Sequence, residues 1–356
     1  MNLALEKLQK SLGTALDAVL ITDELNIRYL CGFPFTDGYL VVTPDNAWVY
    51  ADSRYIEAAR AQIGSEFHVE LLDHRAQSEL GEHLQKQGIR TLGYEDRSMT
   101  CHDLASWKTQ LPNILFAPVD SLILNLREYK TGAEQDTIIA AQRIAEKAFD
   151  RILGFITPDR TEQEVALELE FTMRSLGAQS TSFDTIAVSG KASSLPHGVP
   201  RPVKLEKGFL TMDFGALYQG YCSDMTRTVC LGQPDAEMKR VYQTVYDAQQ
   251  AALDIMAEGL LCREADLAAR KVIEDAGYGD CFGHGLGHGV GLFIHEMPRL
   301  SPAAPAEKRL ERGHVVTVEP GIYLEGKYGV RIEDMVIFTE NGPVDITLAP
   351  KNLIIL

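Results

Sequence analysis

A chain of 356 residues, 45% apolar and 24% charged, has the make-up of a globular protein of two-domain size, which excludes low-complexity disorder, collagen-like repeats and coiled coils. Its 34 Lys and Arg against 50 Asp and Glu leave a formal charge of −16, so nucleic acid and anionic membrane surfaces are repelled on average. No apolar run approaches the ~20 residues that span a bilayer. The opening MNLALEKLQKSLG lacks a signal-peptide pattern, and the six cysteines form no C-x-x-C pair, so the expected setting is a cytoplasm with reduced thiols.

Along the chain, short apolar runs at 18–22, 39–43 and 47–51 read as strands. A helix is expected over 53–62, with Ser53 as its N-cap. Further strands at 67–72, 91–94 and 114–117 alternate with helices near 78–87 and 100–109, which makes residues 1–122 an α/β domain. A long helical pattern follows over 131–155. A second covers 161–176, where Thr161 and Glu164 have capping-box spacing and Gly177 ends the helix. Two strands, helices near 236–257 and 263–276, and a strand- and glycine-rich tail complete an α+β domain over 127–356.

The chemistry sits in that second domain. In the segment TMDFGALYQGYCSD, two strand-like runs flank a turn placed at Tyr218–Gln219. Such a hairpin sets Asp213 directly opposite Asp224, and like charges in that position destabilise a sheet. Solvent-facing edge carboxylates are the bland explanation. The apolar strand GFLTM leading into Asp213 favours a cation between the two instead. Glu319 ends the run HVVTVEP and Glu333 lies in GVRIEDMVIF, a second pair of acids inside β-branched stretches. Acids are rarely buried unless paired.

Between these pairs lies FGHGLGHGVG, with glycine at every odd position from 283 to 291. An extended strand puts the glycines on one face, open to close backbone approach, and His284 and His288 on the other. His295 follows in FIHEMP, and His197 precedes the first hairpin in SSLPHG. Four carboxylates with histidines suit hard or borderline divalent ions such as manganese, and their charge of −4 balances two of them. Two ions ~3.5–4 Å apart can share a hydroxide and stabilise a tetrahedral oxyanion, which is hydrolytic machinery. Neither a G-x-S-x-G elbow nor a Walker A loop is present.

The segments SSLPHG, MDFGALYQGYCSDMTRT, GHGLGHGVGLFIHEMP, TVEPGIYL and GVRIED resemble those of the pita-bread metallopeptidases, which include methionine aminopeptidases, Xaa-Pro aminopeptidases and Xaa-Pro dipeptidases (prolidases). The resemblance implies a creatinase-like N-terminal α/β domain and a pita-bread (creatinase/aminopeptidase) catalytic domain. It implies Asp213, Asp224, His288, Glu319 and Glu333 as metal ligands, with Asp224 and Glu333 bridging two ions, Asp213 on one ion, and His288 and Glu319 on the other. Glu319 is also the implied proton shuttle. Arg331, two residues before the last ligand, stands where methionine aminopeptidases usually carry Gln, and so points to the proline-directed branch. His197 and His295 are implied to flank the scissile bond, and His284 to shape the proline pocket. Arg331 either neutralises the acid-rich site from behind or touches substrate.

An Xaa-Pro bond has no N–H, so its hydrolysis depends on polarising the carbonyl and protonating a bulky amine. The expected activity is a dinuclear-metal Xaa-Pro aminopeptidase acting on proline-containing peptides through a metal-bound hydroxide, with Xaa-Pro dipeptidase as the alternative. Manganese is the expected metal, ahead of cobalt, zinc or iron, and the resemblance implies a homodimer. A ligand-less binding protein or a metal-free amidinohydrolase of the creatinase kind is disfavoured by the intact ligand set.

Overall fold

The computed structural model describes residues 2–13, 16–72 and 76–356. They fall into two units, Met1–Arg127 and Glu128–Leu356. Among the described residues no helix is long and apolar enough to cross a membrane.

In the first unit, the apolar runs form a six-stranded sheet, in spatial order His68–Leu71, Ala47–Ala51, Gly38–Val42, Ala18–Ile21, Thr91–Tyr94 and Leu115–Pro118. Ala18–Ile21 is parallel to Thr91–Tyr94 and antiparallel to Gly38–Val42. All four of its residues are buried, because alternate side chains serve two cores. Val19 and Ile21 pack with Leu8 and Leu30, while Ala18 and Leu20 pack with Leu84 and Trp107. Helices Leu3–Leu12 and Glu24–Cys31 have no counterpart among the elements read from the sequence. The helix expected from residue 53 starts at Ile56 with no side-chain cap, so Ser53 is not its N-cap. The Asp52 carboxylate instead accepts the Arg54 N–H at 2.8 Å, and the resulting turn delays the helix.

The second unit pairs helices with antiparallel strands. Gly132–Phe155 and Glu162–Ser175 enclose a core of Phe149, Leu169 and Met173 against Leu210 and Met212. Ala236–Ile255 and Cys262–Asp275 pack Val245 and Ala269 against Phe209, Val316 and Val336. Thr131 and Thr161 each form a capping box with the glutamate three residues on. Gly208–Phe214 lies between Ile186–Ser189 and Met225–Leu231. Val315–Val318 lies between Gly287–Gly289 and Asp334–Thr339, and a hairpin joins Gly321–Leu324 to Tyr328–Arg331.

Glu162 ties one of these helices to the loop that leads toward the strand Gly208–Phe214. Fully buried, it accepts bonds of 2.7 to 3.0 Å from the Ser189 N–H and hydroxyl and from the Arg201 N–H, Nε and Nη2. Burial alone pushes its carboxyl up, but the Arg201 and Ser189 bonds overcome this and hold it below the ordinary glutamate range. A depressed folded-state value means stability that is present above the unfolded pKa and lost as pH falls through the folded one. Glu162→Gln is therefore expected to cost about 2 kcal/mol at pH 7 by urea unfolding, and to lose less further stability below about pH 4 than the parent chain.

Candidate metal centre

The first hairpin is displaced from its expected register. Tyr218 pairs with Tyr221 and Leu217 with Cys222, so the loop is Gln219–Gly220. Both loop residues have positive φ, 47° and 84°, as a two-residue hairpin turn of this hand requires. A loop at Tyr218–Gln219 would demand that conformation of Tyr218, whereas Gly220 adopts it without a steric cost. Asp213 consequently lies opposite Thr226, not Asp224. Asp224 and Thr226, two residues apart, both turn toward the same cluster: the Thr226 hydroxyl donates to Glu333 Oε2 at 2.7 Å.

In the second pair of strands, Val318 faces Asp334 and Gly321 faces Arg331. That register sets Glu319 opposite Glu333 where the two ladders break. Of the glycine-rich segment only Gly287–Gly289 is a strand. A Cβ on Gly287 would lie 2.0 Å from the Thr317 carbonyl oxygen, and one on Gly289 2.1 Å from that of Met297. The missing side chains let the neighbouring backbones close around His288.

Asp224, His288 and Glu333 offer ligand atoms that all lie within 4.8 Å of one another. His288 Nε2 is 3.3 Å from Glu319 Oε1 and 3.6 Å from Asp224 Oδ2. His288 Nδ1 lies 3.1 Å from the Gly289 carbonyl, which can only accept, so Nδ1 carries the proton and Nε2 presents its lone pair to the carboxylates. Burial holds His288 down to about 3, and the ring is neutral. Asp213 receives Arg331 Nη2 on Oδ2 at 2.6 Å, and its Oδ1 is buried without a hydrogen-bond partner among the described residues. Burial, followed by repulsion from Glu333 and Asp213, pushes Asp224 well above the carboxylate range. Burial and then Glu319 do the same to Glu333, and burial raises Glu319 to about 8. Buried acids that repel one another, an orphaned carboxylate oxygen and an outward lone pair are a donor set that fits divalent cations.

The same cavity, of about 770 Å³, is lined by His197, His284, His295 and Arg331 as well as the five candidate ligands. His284 is fixed by Tyr323, whose hydroxyl is 3.0 Å from Nε2, and burial lowers its pKa to about 4. The His295 ring stands edge-on to His288 with centroids 4.5 Å apart. Arg331 donates to Asp213, to the Thr226 hydroxyl at 2.9 Å, to the Tyr323 hydroxyl at 2.8 Å and to the Pro196 carbonyl at 3.3 Å. Of its two expected roles, the geometry therefore favours fixing Asp213 from behind.

Three contributors are absent from the sequence reading. Thr226 links Arg331 to Glu333; its signal is position, two residues after Asp224 on one strand face. Tyr323 joins Arg331 to His284, but nothing in GIYL marks it. Arg299 lines the cavity, and its side chain has no hydrogen-bond or ion-pair partner among the described residues. Its charge acts on His288, His295 and Glu319.

The profile of Metallopeptidase family M24 matches residues 136–340, and that of the Creatinase/Prolidase N-terminal domain matches residues 5–129. The chain is 38% identical to the Xaa-Pro dipeptidase of Pyrococcus furiosus, over 99% of this chain and 100% of that one. The solved structure of an Xaa-Pro dipeptidase from Bacillus anthracis matches with a TM-score of 0.95 and 41% identity, covering 99% of both chains. An X-Pro aminopeptidase from Thermotoga maritima matches with a TM-score of 0.91 and 34% identity, covering 98% of this chain and 99% of that one. With a creatinase-type N-terminal domain ahead of a pita-bread catalytic domain, the chain belongs to metallopeptidase family M24, in its proline-directed branch.

Proposed function

We propose that this chain is a dinuclear-metal Xaa-Pro dipeptidase, and that the order of preference drawn from the sequence, aminopeptidase first, is reversed. Full-length similarity to two proteins named Xaa-Pro dipeptidase supports the reversal. One observation carries it: Arg299 brings an uncommitted guanidinium to the wall of an otherwise acid-rich cavity. A dipeptide ending in proline places a free carboxylate one residue from the scissile bond, and a guanidinium recognises it. The similarity to the Thermotoga maritima aminopeptidase supports the second reading, in which the site stays open to longer peptides.

Asp213, Asp224, His288, Glu319 and Glu333 would hold the two ions. The oxygen-rich donor set supports manganese. The ions, when bound, supply Lewis-acid polarisation of the carbonyl and a water acidic enough to attack at neutral pH. The chain's own groups do the rest. Glu319, steadied by the Thr317 hydroxyl at 3.1 Å, takes the proton of the attacking water and passes it toward the proline nitrogen. His295 and His197 donate to the carbonyl oxygen as its charge develops. Arg331 and Thr226 hold Asp213 and Glu333 in place, so the carboxylates do not reorganise during the reaction.

Rates on an Xaa-Pro dipeptide, its C-terminal amide and an Xaa-Pro-Xaa tripeptide test the reading. The free dipeptide is expected to be the best substrate, and Arg299→Met to raise its KM about 10-fold while leaving the amide unchanged. Equal release of the first residue from the tripeptide would establish the aminopeptidase instead.

A further inference from the structure

The backbone segments that carry Glu319 and Glu333 are joined from behind by a side chain that belongs to neither. Gln249, on the helix Ala236–Ile255, is fully buried. Its Nε2 donates to the Val318 carbonyl at 3.1 Å and to the Ile332 carbonyl at 3.3 Å. These are the peptide oxygens immediately before Glu319 and Glu333. Because both partners can only accept, the amide is oriented without ambiguity: the NH2 end faces the strands. Its Oε1 then points into the protein with no hydrogen-bond partner among the described residues. A buried, unpaired acceptor is unfavourable, and an apolar side chain of the same length would avoid it only by leaving the Val318 and Ile332 carbonyls without this donor. Packing alone does not account for a glutamine here.

The two carbonyls lie where the ladder of Val315–Val318 with Asp334–Thr339 gives way to the hairpin Gly321–Leu324 with Tyr328–Arg331. At that break no strand hydrogen bond ties Glu319 to Glu333, although Glu319 N bonds Leu286 O and Glu333 N bonds Thr226 O. One amide spanning both carbonyls therefore fixes the separation of the two carboxylates. We propose that Gln249 is a positioning residue for the metal centre, holding Glu319 and Glu333 at the spacing that two cations need. This rests on the ligand assignment proposed above. It adds a constraint from a helix that supplies no ligand.

The test is metal binding. The full chain is stripped with chelator and titrated with manganese, and bound metal per chain is measured alongside the melting temperature of the metal-free protein. Gln249→Met keeps length and volume, and removes the donor and the orphaned oxygen together. It is expected to bind manganese about 10- to 100-fold more weakly, the usual cost of losing an outer support of a metal ligand, and to melt somewhat lower without metal because the Val318 and Ile332 carbonyls lose this donor. Gln249→Asn keeps a donor but is one methylene too short to span both carbonyls. It should show the same loss, and stands in if the methionine variant does not fold. A lowered melting temperature with unchanged manganese affinity in either folded variant would reduce Gln249 to a structural residue and overturn the proposal. If the parent chain holds no manganese while the variants match it in stability, the ligand assignment fails, and the positioning role fails with it.

Discussion

Replacing Glu333 or Asp224 by alanine is expected to lower kcat/KM on an Xaa-Pro dipeptide by at least about 10³-fold, some 4 kcal/mol of transition-state stabilisation. Each lies at the centre of the cluster, nearly inaccessible to solvent and surrounded by other carboxylates. On the proposed ligand assignment, loss of either removes a metal ligand, so bound metal should fall from two ions per chain to one or none. Glu333→Gln separates charge from shape, because the amide oxygen can still accept the Thr226 hydroxyl. A second consequence has the opposite sign. In the metal-free chain both carboxyls sit well above the carboxylate range, chiefly through burial. An acid with a raised folded-state value contributes stability below its unfolded pKa and loses it as pH rises through the folded value. The depressed His284 and His288 act in the opposite sense below about pH 6.5, so metal-free parent protein should become less stable from about pH 6.5 toward pH 8, and Glu333→Gln should flatten that decline while binding metal poorly. Near-normal turnover in either alanine variant would refute a dinuclear centre.

The candidate ligands stand out in the sequence because acids inside β-branched runs contradict the local pattern, and a contradiction of that kind is visible without coordinates. His288 was visible for a related reason, since glycine at alternate positions has no use in a strand unless a neighbouring backbone must come close, as Thr317 and Met297 do. The register of the first hairpin was legible only to within one step. Both candidate loops contain Gln219, and the choice falls to the residue that tolerates positive φ, Gly220. Helices Leu3–Leu12 and Glu24–Cys31 escaped notice because each is short and only a few of its residues reach the core. Gln249 and Arg299 were illegible for a different reason. Gln249 sits 69 and 83 residues from the carbonyls it joins, on a helix whose pattern is otherwise ordinary. Arg299 stands out only by having no hydrogen-bond or ion-pair partner among the described residues, which no sequence pattern records. The preference for aminopeptidase rested on motif likeness around the ligands, and those motifs are shared by both activities.

Arg227→Met is expected to be the most destabilising single change outside the cavity. Arg227 follows Thr226 on the strand Met225–Leu231, so its side chain leaves by the opposite face and runs into the protein. It is 1% exposed and serves five acceptors. Nη1 donates to the Thr226 carbonyl at 2.9 Å and to the Glu333 carbonyl at 2.7 Å. Nη2 donates at 2.7 Å to both Asp334 Oδ1 and the Ala349 carbonyl, and Nε to the Pro350 carbonyl at 3.0 Å. One planar group thus joins the strand after Asp224, the segment of Glu333 and the chain leading to the C-terminus. Methionine fills the space but leaves Asp334 buried with Lys351 as its only cation among the described residues, and removes a donor from four carbonyls. Breaking a buried pair from one side costs about 3–5 kcal/mol, or on the order of 10 °C in melting temperature for a unit of this size. Arg227→Lys should recover little, since a single ammonium cannot reach acceptors spread around a guanidinium plane. Arg227→Met combined with Asp334→Asn should cost less than the two changes added, because the stranded charge goes with its partner. Urea unfolding of the metal-free variants measures all three, and a loss below about 1 kcal/mol for Arg227→Met would mean that the charge of Asp334 is carried by Lys351 alone.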